Sequence, residues 1–152
     1  FLIFKYFGAS ILMKQLELIL KTFHEYEFKE GLDDLFYLCG NFLKEIDPKV
    51  KLEYGQDVSF FKVLKILLES GDISLFHNLN GEDPSRDGEL LLGSPQEQIE
   101  QLQQVWIGSF AIHQMDQKNN YLGWYFLIHC PYALAHKLYD EDGKFVRWLY
   151  TD

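Results

Sequence analysis

GSPQEQIEQLQQVWI, from Gly93 to Ile107, is the stretch from which the rest of the chain can be placed. Ser94 is a good N-cap, since its hydroxyl can accept from a free first-turn amide. Pro95 then falls at the first helical position, where its missing N–H costs nothing. Glu97 stands three residues after the cap and completes a capping box. Ile99, Leu102, Val105 and Trp106 recur at helical spacing, with five glutamines and two glutamates largely on the other face. The spacing predicts a surface helix at about 94–107, laid on a core and carrying no chemistry of its own.

Upstream the pattern is also helical. Leu16, Ile19, Leu20, Phe23 and Tyr26 share a face, and Gly31 ends the run. Asp33 or Asp34 opens a second helix with Leu35, Leu38, Cys39, Phe42, Leu43 and Ile46 on its apolar side; Pro48 closes it. A short glycine-bearing link predicts that the two pack antiparallel. Lys49 to Gln56 reads as a connector and Asp57 as the cap of a third helix, SFFKVLKILLES. Apolar residues cover most of its circumference, which predicts the most buried helix. Gly71 is placed for a left-handed C-terminal cap. The first residues, FLIFKYFGASIL, are apolar but too short to span a bilayer. Met13 is the expected start, with 1–12 an upstream extension and 13–152 a single α+β domain. The tail of a signal sequence and a docked N-terminal strand are the alternatives for 1–12.

Downstream the period changes. Ile73, Leu75, His77 and Leu79 alternate with Ser74, Phe76 and Asn78, which predicts a strand. Asn80 to Glu89 is polar and reads as an exposed loop, with a short strand at Leu90 to Leu92. His113 to Asn120, HQMDQKNN, reads as a second polar break. Leu122 to His129, LGWYFLIH, is a continuous apolar run, expected to be a central strand ended by Cys130-Pro131. Ala133 to Tyr139 and Lys144 to Tyr150 flank Asp140-Glu141-Asp142-Gly143, a strong hairpin signal. Helices first and tightly turned strands afterwards predict an α+β fold: N-terminal helices on a small, mainly antiparallel sheet.

Composition restricts function. At 152 residues, 47% of them hydrophobic and 16% aromatic, the chain can bury a real core. Its net charge is −9, with fourteen Lys and Arg against twenty-three Asp and Glu. Nucleic-acid binding draws most of its affinity from cationic side chains on phosphates, so no nucleic-acid partner is expected. A helix–turn–helix would offer only Lys62 and Lys65. No membrane partner is expected either, and the two distant cysteines, Cys39 and Cys130, fit free thiols in a reduced compartment. An acidic surface suits a cationic protein partner, although solubility alone also explains it.

Chemistry-bearing residues are sparse. His129, Cys130 and His136 are near one another, but adjacent strand residues point to opposite faces and no metal-ligand spacing is present. Cys130 with His113, His129 or His136 as base is a conceivable nucleophile; a small apolar residue at a strand end is the plainer account. Asp140, Glu141 and Asp142 lack calcium-loop spacing. No phosphate loop or nucleophile elbow occurs. The expectation is therefore no catalytic residues, no metal and no cofactor.

Three segments carry a resemblance: LLGSPQEQIEQLQQVW (Leu91–Trp106), GWYFLIHCP (Gly123–Pro131) and YDEDGKFVRW (Tyr139–Trp148). In this order they resemble small bacterial proteins of unknown function, family number 596 in the domain-of-unknown-function series. The resemblance covers mainly the C-terminal sixty residues. Tyr132-Ala133-Leu134 after Cys-Pro and the polar loop 80–89 depart from it. It implies a small cytoplasmic α+β protein of bacteria and brings no catalytic residues with it. Small acidic proteins of this kind suggest, by analogy of class, an immunity-type inhibitor that occludes a cationic toxin domain. The partner surface is expected at Glu82, Asp83, Asp87 and Glu89 and at Asp140, Glu141 and Asp142, with Trp148 as an exposed anchor. The alternatives are an enzyme with a pocket between sheet and helices, using Cys130 or a histidine, and a homo-oligomeric structural protein.

Overall fold

The computed structural model describes residues 14, 16–22, 28–46, 49, 52–79 and 83–151. The expectations for Met13, Phe23, Tyr26, Pro48, Glu82 and the Ile46 side chain fall outside what is described. Residues 16–22 are helical (α1). Then follow α2 (Leu32–Ile46), α3 (Leu52–Glu69), β1 (Ile73–His77), β2 (Glu89–Leu90), α4 (Pro95–Val105), α5 (Ser109–Asn119), β3 (Tyr132–Tyr139) and β4 (Phe145–Tyr150). A 3-10 turn at Pro84–Arg86 precedes β2, and a π-helical turn at Tyr125–His129 precedes β3.

The strands form a four-stranded sheet in the order β2-β1-β3-β4, every neighbouring pair antiparallel. With the helices gathered on one face, this is an α+β fold. Because side chains alternate along a strand, β1 and β3 present Leu75 and Leu134 to the helices. Phe76, Ala133 and Ala135 turn to the other face, where Leu90 and Trp148 pack on them. One edge of the sheet is closed by α4. Leu75 N donates to Gln98 Oε1 at 3.0 Å, so a helix side chain continues the ladder where β2 ends.

The capping box of α4 is present in full: Glu97 N donates to Ser94 Oγ, and Ser94 N to the Glu97 carboxylate. α3 is the central helix, touching α2, α4, α5 and β1. Its outer face is less buried than its composition suggests, since Val58 and Ile66 are exposed. It also starts earlier than expected, at Leu52, within the stretch that reads as a connector. Asp57 is therefore inside the helix and caps a different one. Its carboxylate accepts from Ser109 N at 3.1 Å, at the start of α5, where the N-cap Gly108 has no side chain to offer. It also accepts from Trp106 Nε1 at 2.9 Å.

Three further expectations are corrected. His113–Asn119 is helix, the main part of α5, which buries Ile112 and Asp116 and ends at Asn120 as a left-handed C-cap. The run Leu122–His129 forms no strand. Backbone bonds Leu127 N to Gly123 O and Cys130 N to Tyr125 O wind it into a turn that buries Tyr125 and Phe126 and exposes Leu127 and Ile128. On α2, Phe36 is the centre of the core, with ring centroids 5.1–5.7 Å from Tyr37, Phe60, Trp106, His113 and Phe126, although it lies outside the expected apolar set.

The hairpin between β3 and β4 forms as its Asp-Gly pair predicts. Gly143 has φ +77°, and Asp140 Oδ1 accepts from Asp142 N and Lys144 N. A bulge at Leu138/Tyr139 then breaks the alternation of β4 and brings Phe145 onto the face of Trp148. Gly143→Val is expected to cost about 1 kcal/mol or more, because a β-branched residue is strained at positive φ even though no atom lies within 4 Å of its Cβ. Chemical denaturation measures it, and an unchanged midpoint would contradict the turn.

Candidate functional site

An open groove lies where the start of α2 meets the segment 120–127. That segment doubles back through Asn120 in the left-handed region and Gly123 at φ +92°. Asp116, buried on α5, holds it in place. Asp116 Oδ1 accepts from Gly123 N at 3.0 Å and Trp124 N at 3.1 Å. Tyr37 on α2 donates its hydroxyl to Asp116 Oδ2 and accepts from Gly123 N at 3.1 Å. Burial, then the bond to Asp116, raises the Tyr37 pKa, so the phenol stays a donor. A helix, a loop and a second helix are thereby locked through one carboxylate.

The segment runs on into the π-helical turn at Tyr125–His129. Insertions of this kind widen a helix by one residue and recur at functional sites. Leu122 is 71% exposed, Tyr121 50% and Leu127 48%. Leu122 forms a ridge between two clefts. One, of about 330 Å³, is bounded by Tyr121, Phe126, Leu127 and Asn78. The other, of about 340 Å³, is bounded by Glu30, Asp34, Tyr37, Leu38 and Asn41. Asp33 borders both.

Asp33 gives the groove its electrostatic character. Burial raises its pKa, and the neighbouring Asp34 raises it further. Asp34 is engaged, accepting from Gly31 N at 3.0 Å as a first-turn acid of α2. Lys29, the nearest lysine in sequence, donates to Lys137 O at 3.3 Å. Among the described residues no cation is paired with Glu30, Asp33 or Asp34; the ion pairs are Lys65–Glu69 and Arg86–Glu89, elsewhere on the molecule.

Cys130 is not set up as a nucleophile. It is buried, and burial pushes its thiol up to about 11, so it stays protonated at neutral pH. Its Sγ faces Tyr132 O at 3.4 Å. The histidines considered with it are placed otherwise. His113 donates to Gln56 Oε1 at 2.8 Å, His136 donates from Nε2 to Glu30 O at 2.7 Å, and His129 is exposed. Cys39 is buried, its thiol pushed up to about 12. Among the described residues no three His, Cys, Asp or Glu side chains gather as a metal site.

The acidic residues singled out in the sequence do not come together. The register sets His77 opposite Tyr132 and Ile73 opposite His136. Asp83, Asp87 and Glu89 therefore lie toward one end of the sheet and Asp140, Glu141 and Asp142 at the other, roughly 23 Å apart along β3 at about 3.3 Å per residue. Several of them have structural duties. Asp87 Oδ1 accepts from Leu79 N at 2.7 Å, Asp83 accepts from Ser85 Oγ, Glu89 pairs with Arg86, and Asp140 closes its turn. Trp148 is half-buried and covered by Lys137, whose Nζ sits 5.5 Å from the ring; Phe145 and Tyr150 beside it are more exposed. Sequence reasoning does not single out Glu30, Asp33, Asp34 or Leu122, which line the groove. The doublet Asp33-Asp34 was visible, but as a helix start, and nothing local marks Leu122 as exposed.

His136 meets the backbone of Glu30 at the border of this groove. It is wholly buried, and among the described residues its Nδ1 has no hydrogen-bond partner. Burial lowers its pKa, and Lys29 lowers it further. The unfolded chain thus takes up a proton more readily, so the protein is expected to lose stability as pH falls below about 6.5, the ordinary histidine value. In His136→Gln, which can still donate to Glu30 O, that decline between about pH 6.5 and 5 should be shallower. Unfolding midpoints against pH measure it, and parallel profiles would contradict it.

The α+β class is also what comparison shows. The chain is similar in structure to an uncharacterized protein conserved in bacteria, from Neisseria meningitidis, with a TM-score of 0.57, 19% identity and 95% of each chain covered. At that identity the likeness concerns the fold. No protein-family model and no curated protein sequence matches the chain. Among the described residues no helix is long and apolar enough to cross a membrane.

Proposed function

We propose that this chain is a binding protein for a cationic protein partner, acting by occlusion as immunity-type inhibitors do. Membership of family number 596, a bacterial source and a cytoplasmic location belong to the same proposal. The observation that carries it is the half-buried Asp33 in an open, apolar-lipped groove, with no described cation beside it. A carboxylate in that position works against folding at neutral pH. Its raised pKa means that the native state is favoured as the group protonates, and that this advantage is lost as pH rises through the folded value. Residues that cost stability cluster where function needs them. The net charge of −9 would steer a basic partner toward the surface, and the exposed Leu122, Tyr121 and Leu127 would slow its departure.

Asp33→Asn is accordingly expected to leave the unfolding midpoint unchanged or higher while weakening partner binding. With a basic protein captured on the immobilised chain, the association rate should fall steeply with salt and fall again on charge reversal of Glu30 and Asp34. A rate indifferent to both would overturn the proposal.

A further inference from the structure

The two clefts differ in chemistry, and the difference specifies an occupant. Each is at the low end of the volume range of small-molecule sites, so each suits one side chain better than a cofactor. The cleft of Glu30, Asp33 and Asp34 sets carboxylates beside the side chains of Leu38 and Tyr37. Lysine and arginine fit such a place, since they lay an apolar stem along carbon and keep a charged end for an acid. The cleft of Phe126, Leu127 and Tyr121 offers aromatic and aliphatic walls. Asn78 at its border supplies an amide that can meet a peptide backbone. Resting on the binding reading above, we infer that the groove recognises a polypeptide segment of its partner that presents a lysine or arginine beside an apolar side chain. The cation sits against Asp33, the apolar group lies against Phe126 and Leu127, and Leu122 stands between them.

Leu122 is central to this assignment. A side chain so exposed on a loop locked by the Asp116 network is held out in a fixed place. With a segment bound, it would exclude water from the ion pair at Asp33, and a desolvated charge pair is worth more than an exposed one. The apolar and ionic contacts would then depend on each other, and losing either should weaken binding by more than a surface ion pair contributes.

The experiment uses the full chain and labelled peptides of equal length on a Ser-Ala background. They carry a central Arg-Leu, Lys-Leu, Arg-Ser or Glu-Leu pair, and binding is followed by fluorescence anisotropy at low salt. Arg-Leu and Lys-Leu are expected to bind at least tenfold more tightly than Arg-Ser and Glu-Leu. Asp33→Asn and Leu122→Ser should each remove about tenfold, and Asp140→Asn should change nothing. Circular dichroism and unfolding midpoints establish that each variant is folded. Equal binding of both arginine peptides, or affinities unmoved by Asp33→Asn and Leu122→Ser, would overturn the inference. A second copy of the chain as occupant would overturn it as well; that would appear as self-association in sedimentation, abolished by Leu122→Ser, without peptide binding. Salt-dependent association of a captured partner that ignores Leu122 would sink this inference and leave the broader binding proposal standing. Absence of any salt-dependent partner would remove the broader proposal itself.

Discussion

Asp116→Ala is expected to cost about 2–5 kcal/mol, from about 1–3 kcal/mol for each buried donor left unsatisfied, which is a large share of the roughly 5–15 kcal/mol that typically holds a domain together. Its carboxylate is the acceptor for Gly123 N, Trp124 N and the Tyr37 hydroxyl. Alanine would leave Trp124 N and the Tyr37 hydroxyl without their acceptor and Gly123 N with only the Tyr37 oxygen, and each unsatisfied buried donor costs about 1–3 kcal/mol. Asp116→Asn keeps one carbonyl acceptor and should cost less. Urea denaturation separates the two variants. A loss below about 1 kcal/mol in Asp116→Ala would show that segment 120–124 is held by something else. The consequence reaches the groove, because the same contacts hold Leu122 between its two clefts.

Phe36→Ala should be comparably severe, at about 3–5 kcal/mol. The ring is fully buried and meets five other rings edge-on or tilted, from α2, α3, α5, the π-helical turn and Trp106. Removing it leaves a cavity at the junction of four elements, where collapse cannot close the gap without moving a helix. Phe36→Leu should cost roughly half as much, since most of the volume stays. Trp106 stacks on Phe60 at 4.9 Å beside this junction, so its fluorescence should report the change along with the denaturation midpoint. A near-native midpoint for Phe36→Ala would mean that the core is not organised on this ring.

How much the sequence reveals follows from how local each cause is. The capping box of α4 and the Asp-Gly hairpin are legible because every group involved lies within a few residues. α5 is hidden because the acceptor at its start is Asp57, fifty-two residues away, and its buried polar residue Asp116 serves another segment's backbone. The apolar run Leu122–His129 fits a strand and a buried helical turn equally well by periodicity. The four backbone amides of Gly123, Trp124, Leu127 and Cys130 decide the matter, bonding within the turn and to Asp116. The groove is the least legible feature. Asp33 and Leu122 are eighty-nine residues apart in sequence, and only the fold sets them on one rim.

The most direct test of the groove as the binding site is a map of backbone amide shifts, recorded while the Arg-Leu peptide is titrated into the isotopically labelled chain. The expected result is a contiguous set of shifts at Asp33, Asp34, Leu122, Gly123 and Leu127, saturating together and reduced in Leu122→Ser. Shifts confined to Asp83–Glu89 or Asp140–Asp142, with the amides around Leu122 unmoved at saturation, would contradict it.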